Sequence, residues 1–469
     1  MLFSEPVFFA FFSVYFVLHL LVPATWRLYL IIVGSAFFYA WWRVDYIWLP
    51  FVLTWIAWAG ALWTNQADSD GGRRFRLTVS LLVLFAPLVV IKYSHFIYAD
   101  VLSHIPGLSG MLVPGAVPEI GLPLGISFVT FTLTAYIVDI YRGRYPIERR
   151  LDRVLGYVLF FPHLIAGPIL RPNELLPQLA VLRRALDARI LLGVCIFTIG
   201  LIKKVIFADT IAGVVDPVFA VDGDGTSLEY LLAIYGFSIQ IYCDFSGYTD
   251  MAIGLALILG IRLPTNFLRP YSAASIIDFW RRWHITLSYW LRDYLYIPLG
   301  GNRFGEGRRL TNLMTTMILG GLWHGAAWTF VVWGFMHGLG LVIAHGFRSM
   351  TANLRIRIPT VLAVLITFHF VTLAWVFFRA PDMDTAFRVL AGPFVAPLPE
   401  LGAFVSRYAF ELTLGLIFFL THPFDKHARM RFAVKHYPKW VLLPAIALGF
   451  LLVVTLSQGS SGKFIYFDF

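Results

Sequence analysis

Two histidines stand out in this sequence, because each lies in a Trp-rich polar motif of a largely apolar chain. The first is His324, which Trp323 and Gly325 flank inside 310–347, a run of thirty-eight residues without Asp, Glu, Lys or Arg. A neutral imidazole, with an unperturbed pKa of ~6.5, can accept and return a proton near neutral pH. Within a membrane it needs a polar partner or a cavity. His324 is therefore a candidate general base, and a hydrogen-bonded packing histidine is the alternative.

The second histidine, His284, lies in the string DFWRRWHITLSYWLRDYLYIPLGGNR, from Asp278 to Arg303. Aromatic residues are interleaved there with charges, which is unlike a spanning helix. On one continuous helix Ser288 would lie one turn after His284, on the stripe shared by Arg281, Ile285 and Arg292. Because Trp and Tyr favour the membrane interface, the alternative is an interfacial helix whose arginines contact lipid phosphates.

Several further side chains near the two histidines are candidates for supporting roles, namely Trp323, Ser288, Asp293 and His337. His337 follows His324 by thirteen residues, which on one helix is a rotation of ~220°. We therefore expect His337 to point elsewhere, either in a supporting role or as a structural residue. No candidate cluster offers a convincing set of metal ligands, so no metal is predicted. Asp244 and Asp250 form another polar cluster, whose role the sequence leaves open.

The composition places these residues in a membrane. Hydrophobic residues make up 59% of the 469 positions, charged residues only 14%, and the mean hydropathy is +0.74. Soluble domains carry nearer ~25% charged residues, so a cytosolic enzyme, a nucleic-acid-binding domain and a disordered scaffold are excluded. The net charge of +10 is explained by basic cytoplasmic loops. Lipids are predicted partners, and nucleic acid is not.

Apolar segments of spanning or half-spanning length recur along the whole chain. They predict about ten to thirteen transmembrane, half-spanning and re-entrant helices in one integral membrane domain, residues 1–469, of an all-α polytopic protein. Two of the segments are 229–243 and 251–261. The stretch 310–347 is too long for one span, so we expect a break in it at Gly320-Gly321 and Gly325.

The loops predict the topology. Residues 142–153 and 425–439 each carry five basic residues, and 73–76 carry three Arg. The positive-inside rule places these loops in the cytoplasm. Residues 96–119 and 214–228 contain no Lys or Arg and are predicted to face outward. Both termini are then extracytoplasmic, and the first apolar segment, which lacks a basic region before it, is expected to be retained as a span.

The two histidine-containing strings, FWRRWHITLSYWLRDYLYIPLGGNR and GGLWHGAAWTFVVWGFMHG, resemble the membrane-bound O-acyltransferase superfamily. The similarity is greatest to the bacterial branch that contains the membrane subunit of alginate O-acetylation. Supporting strings are LPLGISFVTFTLTAYIVDIYRG at 122–143, FPHLIAGPILRP at 161–172, CDFSGYTDMAIGLALILGI at 243–261 and the tail FIYFDF. The resemblance extends over nearly the whole chain, and the ordered pair of histidine motifs is its specific part.

The resemblance implies a ring of helices around a central tunnel, which joins a cytoplasmic donor side to an extracytoplasmic acceptor side. His324 would be the catalytic histidine, and His284 would occupy the second motif position. An acetyl group from a thioester donor, expected to be acetyl-CoA, would cross the bacterial inner membrane for O-acetylation of an exported polysaccharide, alginate or another exopolysaccharide. A periplasmic SGNH-like acetyltransferase is the expected partner.

O-acylation needs a hydroxyl made nucleophilic beside an activated carbonyl. On this interpretation His324 accepts the proton of the hydroxyl and returns it to the leaving thiolate, while His284 orients an intermediate or the thioester carbonyl. Arg281, Arg282 and Arg292 are expected to attract the phosphates of the donor, with lipid head groups as the alternative.

Two other functions compete with this interpretation. A transporter without chemistry would show inverted repeats and charges along several spans, signs that are weak here. A sister function within the family, D-alanyl transfer to teichoic acid, would use a carrier protein as the donor. The opening MLFSEPVFF and the tail FIYFDF resemble the alginate-type branch more closely.

Overall fold

The computed structural model describes residues 1–105, 121–182, 185–351, 358–457 and 464–465. All regular elements in these ranges are helices, which confirms the prediction of an all-α polytopic membrane protein. Most of the predicted outward loop at 96–119 and most of the tail FIYFDF lie outside the described residues. The central tunnel stays a prediction.

The chain is divided into two compact units, of which the first comprises Met1–Ile190 and Ala256–Pro264. In chain order its α-helices are Pro6–Leu21 (α1), Arg27–Ala40 (α2), Trp48–Asn65 (α3), Asp70–His95 (α4), Ile126–Tyr141 (α5), Leu151–Leu159 (α6), Phe161–Leu164 (α7) and Pro172–Ala180 (α8). Helix α4 begins where the Ser69 side chain accepts a hydrogen bond from the Gly72 amide, which satisfies one of the free amides of its first turn.

The second unit comprises Leu191–Leu255 and the described residues from Thr265 onward. Its α-helices, two of which extend slightly beyond these bounds, are Asp187–Ile202 (α9), Asp209–Phe219 (α10), Ser227–Ile258 (α11), Ile276–Trp280 (α12), Ile285–Leu291 (α13), Gly305–His324 (α14), Trp328–Thr351 (α15), Thr360–Arg379 (α16), Met383–Val395 (α17), Leu401–Arg407 (α18), Ala409–Thr421 (α19), His427–His436 (α20) and Lys439–Leu456 (α21). The prediction of one domain over 1–469 stays a prediction.

Short helical turns of other types join these elements. Turns of π-helix cover Phe96–Val101, Lys203–Ala208 and Arg292–Tyr296, and turns of 3₁₀ helix cover Val44–Tyr46, Leu102–His104, Pro270–Ser272 and His422–Phe424. Two of the π-turns carry polar residues that concern the candidate site, because Lys203 and Lys204 lie in one and Asp293 lies in another.

Six helical segments of the described chain are long and apolar enough to cross a membrane: Val44–Asn65, Asp70–His104, Asp187–Phe219, Trp328–Thr351, Thr360–Arg379 and Lys439–Leu456. A seventh is a pair bent by 73°, Leu401–Arg407 with Ala409–Phe424. Three shorter apolar helices, α1, α2 and α5, bring the total to ten, at the lower end of the predicted range.

The segments 229–243 and 251–261, predicted as separate, are largely one helix, because α11 runs from Ser227 to Ile258. Asp244 and Asp250 therefore lie inside a helix. They are tolerated there because each carboxylate has a lysine partner within 2.8 Å, and buried charges require such partners.

Helices α14 and α15 position His324. The expected break in 310–347 occurs at Gly325, which is extended, whereas Gly320 and Gly321 lie inside α14. A Cβ on Gly325 would meet the Phe330 ring at 1.9 Å, and one on Gly321 would meet the Phe330 carbonyl oxygen at 2.2 Å. Only glycine permits this close approach of the two helices.

Candidate active site

His324 is the last residue of α14, at the point where Gly325 ends the helix. Its side chain is buried, and its ring centroid lies 4.8 Å from that of Trp323, 5.1 Å from that of Trp333 and 5.1 Å from that of Phe378. Apolar walls of this kind exclude water, which strengthens electrostatic interactions inside a site. The predicted general base is therefore enclosed by aromatic rings at a helix end.

His284 occupies a sharp turn between α12 and α13. Its backbone is left-handed, with φ 42° and ψ 56°, a conformation that is rare outside glycine. The string around it is therefore not one helix, and the predicted stripe of Arg281, Ile285, Ser288 and Arg292 does not form. Such unusual backbone geometry is common at functional sites, and here it turns a fully buried imidazole inward.

Asn266 determines how His284 is protonated. The Oδ1 atom of Asn266 accepts hydrogen bonds from the Thr286 amide, at 3.1 Å, and from the Thr286 hydroxyl, at 3.0 Å. A backbone amide can only donate, so this atom of Asn266 is its oxygen. The same oxygen lies 3.2 Å from Nδ1 of His284. Nδ1 therefore carries the proton, and Nε2 carries the lone pair of the neutral imidazole.

Burial keeps His284 neutral. The residue lies between α12 and α13, outside the candidate spans, and burial lowers its pKa to about 3. Desolvation penalises the charged imidazolium, because charge is more stable in water than inside the protein. His284 is therefore a neutral hydrogen-bond acceptor at its Nε2 atom over the physiological pH range.

Trp323 links the two predicted histidines. Its ring centroid lies 6.2 Å from that of His284 and 4.8 Å from that of His324. The sequence separates these histidines by forty residues, and the fold leaves a single indole between them. The fold thus brings the two histidines of the predicted catalytic pair close together, and their role in catalysis stays a prediction.

His337 is closer to His324 than the sequence predicts. It is fully buried on α15, and its ring centroid lies 4.7 Å from that of Trp333, which also contacts His324. The expectation of different faces assumed one continuous helix. The break at Gly325 puts the two histidines on separate helices, so both reach the same indole. Trp280 covers His337 at 5.2 Å.

The three arginines predicted to bind donor phosphates are arranged differently from one another. Arg282 pairs with Asp278 at 2.9 Å, and Arg292 pairs with Asp293 at 2.7 Å and lies over the Tyr289 ring. Arg281 is exposed at the end of α12. Two of the three are thus neutralised by neighbouring carboxylates, which reduces their attraction for an anion.

Ser288 and Asp293, the other predicted supporting residues, act locally. The Ser288 hydroxyl donates to the Trp283 carbonyl oxygen at 3.3 Å, which stabilises the turn that holds His284. Asp293 is buried and accepts two hydrogen bonds from Arg292. Asn266 was not predicted as a site residue, although its string, LPTNFLRPY, lies in the most polar region of the sequence.

The cluster around Asp244 and Asp250 was recognised only in part from the sequence. Lys204 lies 2.8 Å from Asp244, and Lys203 lies 2.8 Å from Asp250. Two adjacent lysines in an apolar segment are costly in a membrane, and that cost was the signal that could have identified them. Their partners come from α11, forty and forty-seven residues away, which no local pattern reveals.

The C-terminal segment is anchored in the same unit. The Ile465 amide donates to Oδ2 of Asp244 at 2.8 Å, and the fully buried Phe464 stacks on Tyr248 at 4.7 Å. Phe245, which is 6.1 Å from Phe464, is also 4.8 Å from His284. Phe464 thus packs one ring away from the candidate site.

Comparison with known proteins identifies similar sequences. The sequence profile of the membrane-bound O-acyltransferase family matches residues 150–380, which include both histidines. The chain is 39% identical to the probable alginate O-acetylase AlgI of Pseudomonas putida, over 100% of both chains. It is 43% identical to the same protein of Azotobacter vinelandii, over 84% of this chain and 78% of the relative. The peptidoglycan O-acetyltransferase of Helicobacter pylori is 35% identical, over 100% and 98% respectively.

Proposed function

The chain belongs to the membrane-bound O-acyltransferase family, and on that premise we propose that it transfers acetyl groups for the O-acetylation of an exported polysaccharide. The donor is a cytoplasmic thioester, acetyl-CoA. Alginate and peptidoglycan, which the names of the relatives specify, are both polysaccharides outside the cytoplasmic membrane. The common feature of the acceptors is therefore a sugar hydroxyl on the far side of the membrane from the donor.

The observation that carries the proposal is the enclosed pair of histidines, His284 and His324, on either side of Trp323. In the transfer step the oxygen of the acceptor hydroxyl forms a bond to the acetyl carbonyl carbon, and the carbon–sulfur bond of the thioester breaks. His324 takes the hydroxyl proton and returns it to the thiolate, so that no net proton is consumed. A positioned base of this kind contributes typically ~10² to 10⁴-fold to the rate.

His284 receives a more specific role than the sequence suggested. Since Nδ1–H faces Asn266, the neutral ring has no second N–H with which to polarise a thioester carbonyl. Its Nε2 lone pair instead accepts a hydrogen bond, from a hydroxyl of the acceptor or an amide N–H of the donor. In this role His284 positions the substrate, while His324 transfers the proton.

The site also requires a particular arrangement in the cell. The basic loop 425–439 faces the cytoplasm of a bacterium, and both termini face the periplasm, in keeping with the positive-inside rule. The acceptor hydroxyl in this chain's transfer step belongs to a periplasmic SGNH-like acetyltransferase. That partner receives the acetyl group at the inner membrane and then transfers it to a sugar hydroxyl of the polymer. This arrangement keeps coenzyme A in the cytoplasm while the acceptor is exported.

His324→Ala tests the proposal. The variant should lose acetyl transfer from labelled acetyl-CoA and ester formation on the exported polymer, while it still inserts and melts like the wild type. His369→Ala is the matched control, because His369 lies on α16 and its ring bonds to the Leu365 carbonyl oxygen of its own helix. Wild-type acetylation in His324→Ala would refute the role of His324.

A further inference from the structure

A cavity of about 200 Å³ lies in the second unit, where the chain passes from the 3₁₀ turn His422–Phe424 into α20. Asp425, Lys426 and His427 line it there. These residues and Arg431, which also lines the cavity, follow the bent apolar pair that ends at Phe424 and precede the span Lys439–Leu456. The cavity therefore opens at a membrane surface. We call it the Lys426 pocket.

The floor of the Lys426 pocket is an ion network in which both carboxylates are paired with neighbouring side chains. Lys203 lies 2.8 Å from Asp250 and 2.5 Å from Asp425. His427 contacts the other oxygen of Asp250 at 2.7 Å, and the Tyr242 hydroxyl donates to Asp425 at 2.6 Å. Burial opposes ionisation of Asp425, yet the nearby Lys203 holds the pKa of this carboxyl below its usual value. Both carboxylates are thus bound to partners on the floor.

The mouth of the pocket carries positive charge that the network does not neutralise. Lys426 and Arg431 line the cavity, and within the described chain neither forms an ion pair with a carboxylate. Lys203, Lys426 and Arg431 exceed the carboxylates Asp250 and Asp425 by one positive charge. Cations that line a concave, partly enclosed surface raise the local concentration of an anionic ligand.

The inner wall of the pocket reaches the candidate active site. Phe267 lines the pocket, and its ring centroid lies 6.3 Å from that of His284. Phe267 directly follows Asn266, the residue that orients His284. A ligand held at the mouth by its charged end could thus extend its uncharged end past Phe267 toward the histidines.

We propose that the Lys426 pocket binds the phosphate groups of the acyl donor, a phosphorylated pantetheine thioester. The inference rests on the proposed function. It places the phosphate site at the Lys426 pocket and not at Arg282 and Arg292, which are already paired with carboxylates. A cavity of about 200 Å³ is smaller than the ~300 to 1,000 Å³ of sites that enclose a whole ligand. It accommodates the charged end, and the thioester lies beyond Phe267.

The test measures binding of coenzyme A and of dephospho-coenzyme A, which lacks one phosphate, to the full-length protein in nanodiscs of phosphatidylcholine. The variant is Lys426→Gln/Arg431→Gln. The matched control is Lys435→Gln. Lys435 is a basic residue of α20, like Arg431, but it does not line the pocket. Melting temperature is recorded for each protein, so that a misfolded variant is recognised and replaced by the corresponding single substitutions.

The double variant should bind coenzyme A roughly tenfold more weakly, since each partly exposed cation contributes on the order of a few-fold. The control should bind like the wild type. The wild type should prefer coenzyme A to dephospho-coenzyme A, and the double variant should lose much of that preference and of the salt dependence of binding. Unchanged affinity and unchanged preference in a folded double variant would overturn the inference.

Anionic lipid head groups carry the same phosphate chemistry, so a second arm adds phosphatidylglycerol to the nanodiscs. If the double substitution changes only the response to phosphatidylglycerol, the pocket binds lipid and the inference is wrong. Acetyl transfer by the wild type is assayed in parallel. If the double variant binds coenzyme A like the wild type and still transfers acetyl groups, only the assignment of the pocket is wrong. If the wild type neither binds coenzyme A nor uses acetyl-CoA, the proposed donor is wrong as well.

Discussion

Oδ1 of Asn266 lies 3.2 Å from Nδ1 of His284, and this contact fixes the tautomer of the buried imidazole. The assignment follows from Thr286, whose amide can only donate to the same oxygen. Asn266 and Thr286 lie eighteen and two residues from His284 in the sequence, on opposite sides of it. The orientation of His284 is thus determined by a buried network that converges on one amide oxygen.

We predict that Asn266→Ala lowers kcat by about ten- to a hundredfold, since loss of a supporting hydrogen bond misorients the histidine. The KM for acetyl-CoA should change less. Asn266→Asp keeps an acceptor and should retain more activity, but its carboxylate would raise the pKa of His284 and shift the pH–rate profile. A profile identical in the wild type and in Asn266→Asp would contradict this positioning role.

Stability should fall in acid because of His284. Its folded pKa of about 3 lies below the unfolded value of ~6.5, so between these values the unfolded chain binds a proton that the folded chain does not. The contribution of His284 to the free energy of unfolding is therefore fully present above pH 6.5. It decreases as the pH falls, by on the order of 2 kcal/mol at pH 5. Thermal unfolding in detergent between pH 5 and pH 8 measures this loss of stability.

His284→Asn is the appropriate comparison for this pH series, because asparagine tolerates the left-handed backbone better than alanine does. The acid-induced loss of stability should be smaller in His284→Asn than in the wild type. Equal slopes in the two proteins would mean that His284 is not kept neutral by burial.

Gly325→Ala should disturb the active site through packing. Its Cβ would lie 1.9 Å from the Phe330 ring, and Phe330 packs on Phe378, which contacts His324. Overpacking of this kind costs typically ~1 to 3 kcal/mol, and acetyl transfer should fall with it. Gly346→Ala on α15 has no neighbour within 4 Å of the new Cβ and should be neutral.

A second substitution tests the cause of that effect. Phe330→Leu, combined with Gly325→Ala, removes part of the ring that the new methyl group meets and should recover part of the melting temperature. If the double variant is no more stable than Gly325→Ala alone, the clash with Phe330 is not the reason for the loss.

Lys204→Met should be strongly destabilising. Lys204 lies 2.6 Å from Asp209 and 2.8 Å from Asp244, and its side chain is only 4% exposed. Removing one partner of a buried ion pair costs ~3 to 5 kcal/mol, because an uncompensated charge stays behind. Expression level and melting temperature report it, with Lys435→Met on α20 as an exposed control.

Lys204→Met combined with Asp244→Asn should be more stable than Lys204→Met alone, because the side chain at position 244 is then neutral. The Ile465 amide, which donates to Asp244 in the wild type, can still donate to the amide oxygen that this substitution introduces. The C-terminal segment should therefore stay in place. Additive losses in the double variant would show that Lys204 and Asp244 do not stabilise each other.

The sequence alone determined the membrane class, the helical fold and the family, and it singled out His284 and His324 as candidate site residues. These conclusions depend on composition, apolar segment length and residue order, which are properties of neighbouring residues along the chain. The break near Gly325 was predictable for the same reason, since a charge-free run of thirty-eight residues exceeds one span.

The tertiary structure alone decided which groups meet. It broke the Asp278–Arg303 string into short helices around a left-handed His284, paired Arg282 and Arg292 with carboxylates, and brought His337 to the indole that contacts His324. It also revealed Asn266 as the residue that orients His284 and joined Lys203 and Lys204 to acids on α11. Such pairings depend on where distant helices pack, because hydrogen bonds and ion pairs form over about 3 Å whatever the separation along the chain.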